Sequence, residues 1–147
     1  MFYKKDSHEH KKTLAAASAT AVLLSACAAS GSPFGSMTAP DNGQSRLYVY
    51  RTSSIKGAGI SFNVNAGNTP IGIIRNGGYL VVDLPPGEHE ISAKTEVRRS
   101  VTLPFKPNEI QCVKASVGFG AFVGRPKLEA VSLEQCRNEI AGTKASL

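Results

Sequence analysis

The 147-residue chain has no tryptophan, only three cysteines and three histidines, and no long apolar run. Its longest apolar stretch, Leu14 to Leu24, falls well short of the roughly 20 residues a membrane-spanning helix needs, which argues against a permanent transmembrane segment. Two of the histidines, His8 and His10, precede that stretch. Beyond it His89 stands alone, and with no second close cysteine pair a zinc site lacks ligands. No serine or cysteine is marked out as a nucleophile, and Asp83, Glu88 and Glu90 cluster around a turn with no partner arrangement. No catalytic site, metal or cofactor is therefore expected. The basic residues are scattered, with Arg98-Arg99 the one adjacent pair after residue 26, which argues against a nucleic-acid partner.

What is present is a globular profile, with 41% hydrophobic and 19% charged residues and a mean hydropathy near zero. Fourteen glycines and eight prolines imply many turns between short elements and favour a mainly β domain.

The first 26 residues have the three-part layout of a secretory signal: a polar, net-positive start to Thr13, the apolar run, and a small-residue exit. That exit, Leu24-Ser25-Ala26-Cys27, resembles the lipobox of bacterial lipoprotein precursors. The resemblance implies cleavage between Ala26 and Cys27, with diacylglycerol on the Cys27 sulfur and acylation of the new amino group by chains such as palmitate. Each buried methylene contributes about 0.8 kcal/mol, so two or three chains hold the protein on the membrane for good. The competing reading is an ordinary signal peptide whose cysteine is incidental. Cleavage removes Lys4, Lys5, Lys11 and Lys12 with Asp6 and Glu9, so 17 basic and 11 acidic residues become 13 and 9, and the charge falls from +6 to +4. The remaining charge solvates the surface or places a mildly basic face against anionic headgroups or polysaccharide. Ala28 after the cysteine, where an aspartate would favour inner-membrane retention, points by the same resemblance to the outer membrane, facing the periplasm. Residues 27–45, small and polar, read as a flexible tether.

From Arg46 the pattern changes to alternation. Leu47–Arg51 alternates aliphatic with aromatic, and Ile60–Asn65 apolar with polar, the period of a half-buried strand. Gly67-Asn68 turns into Pro70–Ile74, and Asn76-Gly77, a strong hairpin signal, predicts that Tyr79–Leu84 returns beside it. Pro85-Pro86-Gly87-Glu88 suits a type II turn with Gly87 at positive φ. After it His89, Ile91, Ala93, Thr95 and Val97 share one face. Glu88, Glu90, Lys94, Glu96 and Arg98 share the other. Val101, Leu103 and Phe105 continue the alternation, Pro107-Asn108 turns the chain, and Ile110–Val117 sets Val113, Ala115 and Val117 on one face. The expected fold is mainly β: a small sandwich of about seven or eight short antiparallel strands over residues 46–142, with one short C-terminal helix and a tail at 143–147.

That helix is predicted from Ser132-Leu-Glu-Gln135, which has capping-box spacing, followed by a stripe of Leu133, Cys136, Ile140 and Ala141 with Gly142 as the stop. Once Cys27 is lipidated, Cys112 and Cys136 remain as a pair in a compartment where disulfides persist. Bridging them closes a loop of about 25 residues, worth about 3 kcal/mol by chain entropy; the alternative is two buried thiols. Gly118-Phe-Gly-Ala-Phe-Val-Gly124 lacks the lysine and context of a phosphate loop and reads as a bend or hairpin exposing Phe119 and Phe122 as a small patch for a partner or a bilayer.

The run Arg-Leu-Tyr-Val-Tyr-Arg from Arg46, the Ile71-Gly72 step, Asn76-Gly-Gly-Tyr-Leu80 and above all Leu84-Pro-Pro-Gly-Glu-His89 resemble bacterial lipoproteins with a PEGA-like domain of unknown function. The resemblance implies a small envelope-associated β-sandwich and carries no catalytic residues. The expected protein is a non-enzymatic, lipid-anchored envelope module that binds an envelope protein or glycan. A small-ligand carrier with a pocket inside the sandwich, or a periplasmic hydrolase built around His89, are the alternatives.

Overall fold

The computed structural model of the chain describes residues 27–119 and 124–147. Among these residues nine strands and one helix follow one another: β1 (Ser45–Tyr50), β2 (Phe62–Ala66), β3 (Thr69–Ile74), β4 (Gly78–Leu84), β5 (Gly87–Lys94), β6 (Arg98–Phe105), β7 (Ile110–Gly118), β8 (Arg125–Val131), α1 (Leu133–Ile140) and β9 (Lys144–Ala145). They form a five-stranded sheet in the order β8-β7-β1-β4-β9 and a four-stranded sheet in the order β3-β2-β5-β6. The mainly β sandwich with one short helix is therefore the fold. Two pairings depart from the expected antiparallel pattern, because β1 lies parallel to β7 and β4 parallel to β9.

The alternation of β1 explains its central place. Leu47 and Val49 point between the sheets, where they join Phe62, Val64, Ile74, Ile91, Leu103, Phe105, Val113 and Ala115 in the main core. Tyr48 and Tyr50 point the other way and are also buried, in a second cluster with Cys112, Cys136 and Ile140. A strand covered on both faces needs large apolar residues at every position, and a tyrosine body meets that need while its hydroxyl seeks a partner at the edge.

Two corners differ from the hairpin expectation. Asn76-Gly77 and Pro85–Gly87 both carry the chain from one sheet to the other, since β4 belongs to the five-stranded sheet while β3 and β5 belong to the four-stranded one. Gly77 (φ 67) and Gly87 (φ 131) do adopt the positive φ their turns require. Turn chemistry fixes the local bend; which strand receives the chain afterwards is set by where its apolar face can be buried. The β5–β6 hairpin, in contrast, closes at Lys94↔Arg98, so Thr95 and Val97 lie in its turn and not on a continuing strand.

Two segments outside the expected domain are part of it. Residues 27–45 are not a free tether along their length: Ala29 N donates to Asn76 O (3.0 Å), Gly31 N to Ala145 O (3.0 Å) and Phe34 N to Thr143 O (2.9 Å). Phe34 meets the rings of Tyr48 and Tyr79 edge-on at 6.0 and 5.2 Å, and Met37 packs in the same cluster. Composition suggested a linker, but two apolar side chains and a run of backbone bonds, Ala145 N to Ser32 O (2.8 Å) among them, suffice to lay it down. The tail contributes β9, which pairs with Gly78 and Tyr79. The remaining addition is β8, an edge strand in which Pro126, unable to donate to a ladder, lies opposite Val117.

The helix forms as its cap predicts, with Ser132 Oγ accepting from Gln135 N at 3.2 Å. Gln135 turns away from the box and donates to Glu139 (3.2 Å). Only Cys136 and Ile140 of the expected stripe are buried, because eight residues give barely two turns of contact with the sheet.

Candidate functional site

The residues that stand out in the sequence are its cysteines, His89 and the glycine-rich segment, and of these only Cys27, Cys112 and Cys136 are expected to carry chemistry. Ala26 and the rest of the lipobox before Cys27 lie outside the described residues. Cys27 is half-buried and is the free cysteine among the described residues. It sits one residue before a bridge from Ala28 to Asn76, so any group on its sulfur or amino nitrogen starts directly from the surface of the domain. Cys112 and Cys136 are joined by a disulfide with Cα atoms 6.3 Å apart, which ties α1 to β7 on the outer face of the five-stranded sheet.

Next to that bridge lies a polar group that the sequence did not announce. Tyr50 is fully buried, and its hydroxyl donates to Glu139 Oε2 at 2.6 Å; Lys114 Nζ reaches the same oxygen at 2.8 Å. The Lys114 and Tyr50 hydrogen bonds hold the Glu139 carboxyl below the usual range, while burial, with Glu139 adding to it, pushes the Tyr50 phenol above its usual value. These groups lock helix to sheet.

His89 is held against its own corner. Its Nε2 lies 2.7 Å from Pro85 O and its ring meets Phe105 edge-on at 5.3 Å, pinning the Pro-Pro-Gly corner against β6. Neither groove described below includes it. The glycine-rich segment closes a β7–β8 hairpin at Gly118↔Arg125 with Phe119 80% exposed; Phe122 lies outside the described residues.

A groove of about 440 Å³ runs on the outer face of the five-stranded sheet between residues 34–38 and Arg46, Tyr48, Tyr79 and Asp83. Arg46 and Asp83 are opposite in the β1–β4 register and form a two-pronged ion pair at 2.7 and 2.9 Å. Arg46 Nη1 also donates to Thr38 Oγ1 (2.8 Å) and Thr38 O (3.1 Å). Four of its five N–H donors are engaged in this way, and Arg46 closes the groove. Arg46→Ala should cost about 1 kcal/mol, because the pair is partly solvated, and should raise hydrogen exchange at Thr38, whose amide donates to the Tyr48 hydroxyl, ahead of the sheet; equal protection in both proteins would show that Arg46 does not hold the segment. A second groove follows α1 from Ser132 to Glu139. No cluster of three metal-ligating side chains occurs among the described residues, and no helix among them is long and apolar enough to cross a membrane.

Residues 41–124 match the family described as a protein of unknown function, DUF2846. The chain belongs to the DUF2846 family. An uncharacterized protein of Haemophilus influenzae is 32% identical over 129 residues, 82% of this chain and 76% of that protein. No solved structure matches. The DUF2846 match begins at Asp41, just before β1, and ends within the β7–β8 connection. It thus spans both sheets but leaves out β8, α1 and β9, and with α1 one half of the disulfide.

A further residue that sequence reasoning missed is Arg51. It is 2% exposed, yet its guanidinium has no carboxylate partner among the described residues. It donates to the carbonyls of Ile60 (2.5 Å) and Gly57 (2.6 Å) and lies over the Phe62 ring at 5.9 Å. Burial lowers its pKa from the ordinary arginine value, but the group starts so high that it remains charged at neutral pH. The one sequence signal was an arginine closing an otherwise apolar strand. In the DUF2846 domain this buried cation is a clamp that gathers the connection between β1 and β2.

Proposed function

We propose that this DUF2846 chain is a lipid-anchored bacterial envelope lipoprotein whose sandwich binds an envelope protein or glycan without catalysing a reaction. The observation that carries the reading is the division of the three cysteines. Cys112 and Cys136 are bridged, which suits an oxidising compartment, while Cys27 is free at the edge of the folded part, directly after Leu24-Ser25-Ala26. The signal layout supports export, and Ala28 supports sorting to the outer membrane, facing the periplasm. PEGA-like character is a further part of the reading, resting on the Pro85-Pro86-Gly87 corner and its strand. A binding module is favoured over a small-ligand carrier because side chains from both sheets fill the space between them and both grooves described lie outside it. The engagement of His89 with Pro85 and Phe105 counts against a hydrolase.

The deciding measurement is the intact mass of membrane-extracted protein beside Cys27→Ala. The native protein should have the mass of residues 27–147 plus acyl groups, and the variant that of the uncleaved, unacylated precursor. A native protein cleaved elsewhere without lipid would overturn the anchor. Fractionation then tests sorting, which fails if the acylated protein stays with the inner membrane.

A further inference from the structure

The lipid attachment point and the most exposed apolar side chains lie at the same end of the sandwich. Asn76 holds both: its carbonyl accepts from Ala29 N, next but one to Cys27, and its side-chain oxygen accepts from Ser54 N at 3.0 Å. Ile55 follows Ser54 and is 99% exposed. Phe119, 80% exposed, projects from the end of β7 beside it, with Lys56 Nζ 4.1 Å from its ring centroid. Large apolar side chains left bare are costly in water and mark contact surfaces.

This end is held in shape. Arg51 clamps the Gly57 and Ile60 carbonyls, and Gly57 and Gly124 both lie so close to Val117 that a β-carbon at either would overlap it. The β1–β2 connection and the facing ends of β7 and β8, at Val117 and Gly124, therefore form one platform. Around it lie exposed Lys56, Lys94, Arg98, Arg99 and Arg125, with Glu96 the acidic residue among them; the opposite end carries Asp41, Glu88 and Glu109 beside Lys106. Of the basic group, Arg98 is paired with Glu90, and no ion pair is formed by Lys94, Arg99 or Arg125 among the described residues. Apolar tips ringed by cations are the chemistry of an anionic lipid surface.

We infer that the platform around Ile55, Lys56 and Phe119 is a membrane-contact face, seated on anionic headgroups and setting the orientation of the domain on the bilayer. The inference rests on the reading of Cys27 as the lipidated residue. With Ala28 lying opposite Asn76 and Ala29 bonded to it, there is no slack for the domain to stand off, since one residue spans at most about 3.5 Å. The acyl chains hold the protein to the membrane, and the platform decides which side faces it. The opposite end and the α1 face are then presented outward.

Because the chain lacks tryptophan, Ile55→Trp in the full-length protein, processed in cells and purified, gives a single probe; Glu88→Trp reports the opposite end. Each is reconstituted into vesicles containing phosphatidylglycerol, with and without bromine on the acyl chains, after its mass has been read for acylation. Quenching and a blue shift of Ile55→Trp, without quenching of Glu88→Trp, are expected. Adding Lys56→Glu and Arg125→Glu should weaken insertion by about fivefold per removed cation. An acylated protein in which position 55 is unquenched overturns the inference while leaving the anchor intact, and the platform then belongs to a protein partner. In a preparation without acyl groups the anchor reading falls instead, and the same signal, quenched or not on these vesicles, upholds or overturns the face.

Discussion

Replacing Cys112 and Cys136 together by alanine should lower the melting temperature by roughly 10 °C. The bridge spans 24 positions, and a loop of that length constrains the unfolded chain by about 3 kcal/mol. In a domain of this size each kcal/mol moves the midpoint by about 3 or 4 °C. The loss should appear first in α1, because eight residues are too few for a helix to persist in water without tertiary support. Cys136 and Ile140 are its two buried contacts, and removing the link leaves Ile140 and the bonds of Glu139 to Tyr50 and Lys114 to hold it. Reduced native protein should melt with the variant, and a reduced protein that melts with the oxidised one would show that the bridge constrains nothing the fold does not already fix.

The disulfide was legible because few alternatives existed: two cysteines remained after Cys27, one on a strand and one on a helical stripe. The faces of the strands were legible for the same kind of reason. Alternation in Leu47–Tyr50 or Val113–Val117 leaves a residue only two sides to choose between. What alternation cannot convey is the partner of each strand. Asn76-Gly77 has the composition of a hairpin turn and the positive φ of one, yet β3 and β4 lie in different sheets, because Ile74 and Leu84 both bury their side chains in the space between them. The double burial of β1 was hidden by its tyrosines, which suit an exposed face equally well until Phe34, Met37 and α1 are seen to cover them. Arg51 escaped notice for a related reason: its partners are main-chain carbonyls, which no side-chain pattern reveals.

Of the second cluster, Tyr50 should be the most costly side chain to lose. Tyr50→Ala empties a fully buried aromatic site between sheet and helix and should destabilise the domain by about 4 kcal/mol. Tyr50→Phe keeps the ring and removes only the hydrogen bond to Glu139, worth about 1.5 kcal/mol for a charged acceptor. The smaller variant also isolates the electrostatics. In the folded protein the phenol is held neutral by burial and then by Glu139, whereas in the unfolded chain it ionises near pH 10. A raised pKa contributes stability that is complete below the unfolded value and lost as pH climbs past it, so the advantage of the native protein over Tyr50→Phe should shrink above about pH 10. On the acid side the sign reverses. Glu139 is held low first by Lys114 and then by Tyr50, so its contribution is present above the usual glutamate range and fades as pH falls through and below it. Tyr50→Phe should therefore lose less on acidification than the native protein does. Denaturant melts of both proteins at pH 4, 7 and 10.5 measure the difference, and a gap that stays constant across the three would mean that Tyr50 and Glu139 are neighbours without being coupled.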